Sequence, residues 1–153
     1  MNKIKKYALL FFPLILVGLF AVKTYWLDAG GIVLPTGKKV TAEELHTQAV
    51  LAIIADQINK NLPRMVDHET KLSKVEALEG ELKYNYDKIN RVASSFNSRE
   101  FVNKMKPRAV DLACNSPDMA LYFENGINAH YVFYGSDHQL IGEFLITPVQ
   151  CSY

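Results

Sequence analysis

At 153 residues, with 49% apolar side chains and a formal charge of +1, the chain is about one domain long. Seventeen Lys/Arg against sixteen Asp/Glu, with no basic stripe, exclude a nucleic-acid-binding surface. There is no phosphate loop, dinucleotide fingerprint or Gly-x-Ser-x-Gly elbow, and the two cysteines are too far apart for a zinc ribbon or a Cys-x-x-Cys redox pair.

The chain opens with MNKIKKYALLFFPLILVGLFAVKTYWLDAGG. Lys3, Lys5 and Lys6 precede an apolar run that extends over residues 7–27. At about 1.5 Å per helical residue this run measures roughly 31 Å, close to the hydrocarbon thickness of a bilayer. Lys23 can snorkel to the headgroups, and Tyr25 and Trp26 suit the interfacial aromatic belt. A cleaved signal peptide is the alternative, but no small-x-small triplet follows the run: Leu19 is too large and Asp28 is an acid. The reading is an N-terminal transmembrane helix, with residues 1–27 as cytoplasmic tail and anchor. The flanking lysines keep the tail inside. In a bacterium this gives a single-pass inner-membrane protein whose C-terminal domain lies in the periplasm. With Lys3, Lys5, Lys6 and Lys23 set aside, thirteen Lys/Arg remain against sixteen Asp/Glu.

Residues 28–40, rich in glycine, read as a linker to a domain spanning 41–153. TAEE places Thr41 three residues before Glu44, the spacing of a capping box. The apolar stripe from Leu45 to Leu62 then predicts a helix over 42–61, stopped by Pro63. Alternation through Leu72, Val75, Leu82, Tyr84 and Tyr86, broken at Gly80, predicts a hairpin with strands near 69–78 and 82–90. Helical spacing returns at Phe101, Met105, Ala109, Val110, Leu112 and Ala113, with Pro107 inside the segment. Ser116 and Pro117 start a second short helix that Gly126 ends. Ile127 to Phe133 and Leu140 to Thr147, joined by GSDHQ, form a second hairpin. The predicted fold is α+β, in the order helix, hairpin, helix pair, hairpin, with an antiparallel sheet packed on helices.

Chemistry-bearing residues are sparse. His46, His68, His130 and His138 lie too far apart in sequence to form a local metal-ligand pair, so no metal or cofactor is expected. Asp67, His68 and Glu69 are consecutive, and a strand would point them in alternating directions. The basic cluster Lys104, Lys106 and Arg108 reads as a solvated helix face, with phospholipid headgroups as the alternative partner. An oxidising compartment normally turns a lone pair of cysteines into a bridge, so Cys114 and Cys151 are expected to pair. Tyr84 and Tyr86 share one strand face, as do Tyr131 and Phe133. They are either core or an aromatic sheet face left open for a protein partner.

The segments CNSPDM, ENGINAHYVFYGSDHQLIGEFLITP and QC, with INKNLPRMVDHETKL and YNY before them, cover most of residues 57–151. This pattern resembles a group of uncharacterised small bacterial membrane-anchored or exported proteins with a C-terminal Cys…Cys disulfide domain. The resemblance implies one fold and the bridge, and it carries no activity. The functional expectation is a non-enzymatic, membrane-anchored protein-binding domain. Residues 7–27 would contact the membrane, and the partner would be another envelope protein or an incoming toxin. An envelope enzyme acting on peptidoglycan or lipid, needing converged histidines and carboxylates, is one alternative. A small-ligand or lipid-binding module is the other.

Overall fold

The computed structural model describes residues 31–153 apart from residue 35. Two short strands, β1 (Ile32–Val33) and β2 (Lys39–Val40), pair as an antiparallel ribbon. Residues 31–40 are therefore more than a spacer, since Leu34 and Val40 are buried in the main core. The capping box forms: Thr41 N–H donates to Glu44 Oε2 at 2.8 Å and Glu44 N–H to Thr41 Oγ1 at 3.1 Å. The helix it starts is only α1 (Ala42–Leu45), and a second helix, α2 (Gln48–Asn59), follows. The Thr47 hydroxyl makes the break. It donates to the Glu44 carbonyl at 2.7 Å and accepts from Val50 N–H at 3.4 Å, ending one helix and capping the next.

The sheet has five strands in the order β3 (Arg64–Met65), β4 (Thr70–Leu78), β5 (Glu81–Lys88), β6 (Asn128–Tyr134) and β7 (Leu140–Ile146). Between β5 and β6 the chain forms a 3-10 turn at Ala93–Ser95, the long helix α3 (Ser98–Cys114) and α4 (Pro117–Glu124). That helical excursion returns the chain to the end of the sheet where β5 began, so β5 and β6 pair in parallel while every other neighbour is antiparallel. The sheet is thus mixed. This corrects the expected helix-hairpin-helix-hairpin domain with an antiparallel sheet, which treated strand pairing as purely local.

The expected transmembrane helix, residues 7–27, lies outside the described residues. Among those described, no helix is long and apolar enough to cross a membrane.

Register assigns the two faces of the sheet. Leu72, Val75, Leu82, Tyr84, Ala129, Phe133, Phe144 and Ile146 share the buried face and meet Leu51 and Ile54 of α2 and Phe123 of α4 in one core. The opposite face carries charge, with Lys71 paired to Asp87 at 3.3 Å and Lys74 to Glu76 at 3.0 Å. Helix α2 also closes one edge of the sheet. Asn59 accepts from Val75 N–H and donates to the Val75 carbonyl, both at 2.8 Å, and Gln48 donates to the Ala77 carbonyl at 3.2 Å. Gly80, at φ +66°, makes the β4–β5 turn and donates its N–H to the His46 carbonyl at 2.7 Å.

Cys114, the last residue of α3, is bridged to Cys151 in the closing 3-10 turn Pro148–Cys151, with Cα atoms 5.0 Å apart. The C-terminal end of the long helix is thereby fastened to the tail that follows β7.

Candidate functional site

Helix α3 packs most closely over β7, where the absent side chain of Gly142 lets Val102 approach. Toward β5 and β6 it rides less closely over the aromatic residues of the buried face, and a groove of about 370 Å³ opens between helix and sheet. Tyr86, Tyr131 and Phe133 form its floor, Met105, Ala109 and Leu112 its wall, and Met119 of α4 closes one end. The floor is a stacked array. Tyr86 lies 5.0 Å from Phe133 and 5.7 Å from Tyr131 between ring centroids, and Tyr131 lies 5.5 Å from Tyr84. Phe101 braces the array edge-on from α3, 5.1 Å from Phe133.

The four aromatic residues picked out in the sequence do come together, but they differ in burial. Tyr84 and Phe133 are core, at 8% and 3% exposure. Tyr86 and Tyr131 are half-buried and carry most of the floor. The Tyr84 hydroxyl reaches the Met119 sulfur at 3.6 Å. Burial raises all three phenols: Tyr131 is pushed up to about 12, Tyr86 higher still, and Tyr84 well above its ordinary value, with the neighbouring Tyr131 adding to the shift in the last two.

Sequence reasoning missed the wall. The helical stripe placed Leu112 with the inward residues, whereas it is 72% exposed at the lip of the groove. The signal that could have found it is compositional. Two methionines, Met105 and Met119, flank small residues at Ala109 and Ala113, and flexible thioethers beside small side chains suit an adaptable binding surface.

Asp67 and Arg108, at the rim, also belong to an adjoining charged cleft of about 510 Å³. There Lys88, although almost fully buried, donates to Glu69 at 2.9 Å and to Thr70 Oγ1 at 2.7 Å. The Lys88 hydrogen bond holds the Glu69 carboxyl below the usual carboxylate range. For Asp67, burial pushes upward, but hydrogen bonds from Glu69 N–H and Thr70 leave its carboxyl below the ordinary value. Arg91 sits 4.1 Å above the Phe96 ring. Lys104 and Arg108 line the same cleft, so two of the three basic residues of the α3 cluster face a depression of the protein surface, and Lys106 does not line it.

The histidines remain apart. His68 lines the charged cleft, and His46 lies beside Gly80 and Gly126. His138 takes a left-handed conformation, φ +57°, in the β6–β7 turn. His130 lies on the opposite face of the sheet, between Glu81 at 2.8 Å and Glu143 at 3.0 Å. It is the one histidine hydrogen-bonded to carboxylates among the described residues. Nor do three His, Cys, Asp or Glu residues converge as metal ligands among them.

No family model matches the chain, and no curated protein matches it in sequence. Solved structures do share its fold. A protein from Pseudomonas aeruginosa described as secreted superposes with a TM-score of 0.61 at 12% identity, over 74% of this chain and 99% of that one. A pilotin of the type 2 secretion system of Vibrio vulnificus gives 0.57 at 13% identity, covering 72% and 94%. The type II secretion system pilotin of Vibrio cholerae gives 0.55 at 14% identity, covering 72% and 95%. The single-pass inner-membrane placement drawn from the sequence is corrected accordingly: these similar structures are a protein described as secreted and two secretion-system pilotins, and no described helix can span a bilayer. Their common ground with this chain is an α+β fold.

Proposed function

We propose that this protein is a non-enzymatic accessory of the bacterial envelope that holds an apolar segment of another protein in the groove between α3 and the sheet. The observation that carries the reading is the groove itself: an aromatic floor, a methionine-lined wall and an exposed Leu112 at its lip. A buried aromatic centre with a polar rim is the usual anatomy of a protein-binding patch, and Asp67 and Arg108 supply that rim. The Cys114–Cys151 bridge supports an oxidising compartment. The likeness to two pilotins supports a place beside an envelope secretion apparatus. An enzymatic reading would draw on histidines hydrogen-bonded to acids, and among the described residues only His130 is so bonded, on the far face of the sheet from the groove.

A photo-crosslinking residue at Leu112, incorporated in cells, tests the proposal. The expected result is a discrete protein adduct that disappears when Ala109→Trp fills the groove and that never forms from Lys74 on the opposite face. Adducts of equal yield from both positions, or adducts indifferent to Ala109→Trp in a variant with a wild-type near-UV spectrum, would refute it.

A further inference from the structure

The two edges of the sheet are treated differently. Beyond the short strand β3, the outer edge of β4 is closed by α2, whose Asn59 and Gln48 side chains take up the backbone groups of Val75 and Ala77. The outer edge of β7 has no such cover among the described residues. Among the described residues, the backbone of Leu140–Ile146 is hydrogen-bonded to β6 and to no other element. Of the usual protections of a free edge, LIGEFLI has neither proline nor lysine, and a single charge at Glu143. Its one irregularity, the extra residue Ile141 opposite the Phe133–Tyr134 step, lies at the hairpin end and leaves Gly142–Ile146 regular.

We propose that the β7 edge is a second docking site, independent of the groove, which accepts an extended segment of a partner protein as a sixth strand. Leu140, Glu143 and Leu145 point to the open face, so an added strand would meet an apolar-acidic-apolar row. Glu143 has half its side chain exposed and gives only one carboxylate oxygen, Oε2, to His130. The complementary strand carries a lysine or arginine with apolar residues two positions to either side.

The same residue argues against a second copy of this chain as the occupant. Glu143 is the middle residue of β7, so the symmetric antiparallel pairing that uses the full length of both strands sets one Glu143 opposite the other. Like charges at directly opposed positions are destabilising.

The test uses the full chain and the peptide acetyl-Thr-Val-Thr-Lys-Thr-Val-Thr-amide, followed by NMR and amide hydrogen exchange. Added protection and shifts should be confined to Gly142–Ile146 and their neighbours. The lysine peptide should bind about fivefold more tightly than its glutamate counterpart, and Glu143→Lys should reverse that preference. A peptide N-methylated at alternate amides should not bind. Three results would overturn the proposal: equal binding of the N-methylated peptide, shifts centred on the groove instead of β7, or concentration-dependent protection of β7 without peptide, which would make a second copy the occupant. Leu112→Asp separates the two sites, since it should weaken the groove and leave the peptide's affinity for β7 unchanged.

Discussion

Tyr84, Tyr86 and Tyr131 direct their rings into the space beneath α3, and desolvation there favours the neutral phenol. In the unfolded chain a tyrosine ionises near pH 10, whereas Tyr131 in the folded protein does so at about 12. Below pH 10 both states keep the proton, and these groups leave stability unchanged. Between pH 10 and 12 the unfolded chain releases protons that the folded one retains, so stability falls as pH rises. The slope is up to about 1.4 kcal/mol per pH unit for each such phenol. Urea titrations at pH 9, 10.5 and 11.5 should show this loss, and Tyr131→Phe should make it shallower. Phenolate absorbance from these rings should appear together with unfolding. Alternation in YNY and AHYVF was enough to put Tyr84 with Tyr86 and Tyr131 with Phe133, while the parallel pairing of β5 with β6 brings the two pairs onto one face. Whether that face is covered depends on where α3 docks, which no local pattern records.

The elements themselves were largely legible where short-range chemistry sets them. Thr41 and Glu44 announced α1, and Pro117 marked the first turn of α4. The break at Thr47 was hidden because the apolar stripe runs straight through it. The parallel pairing of β5 with β6 was hidden for another reason: it follows from a helical excursion that returns the chain to its starting side, and a period-two pattern reads the same in either direction. Asn59 was likewise just one residue of a helix in the sequence, yet it acts as a one-residue substitute strand. Asn59→Ala should leave Val75 N–H and C=O without partners, at a cost of about 2 kcal/mol. Native-state hydrogen exchange should show the Val75 amide losing protection well before those of β6. If Val75 keeps its protection in the variant, α2 does not seal that edge in the way described.

Across the whole molecule, the bridge between Cys114 and Cys151 links residues 37 positions apart and fastens α3 beyond the last strand. In the chain-entropy treatment its removal costs about 4 kcal/mol, so the double variant Cys114→Ala, Cys151→Ala should unfold at a clearly lower urea concentration. An unchanged midpoint would mean that the tail contributes nothing to holding the helix. The middle of the sheet has a different weakness. Its central strand β5 and the neighbouring β6 are separated in sequence by α3 and α4, so neither half of the chain holds a finished sheet. A chain emerging N-terminus first must expose Tyr84 and Tyr86 on an incomplete edge until residue 134 has followed. During that interval the future groove floor is an exposed aromatic surface of a half-made protein, and it is where a chaperone would have to take hold.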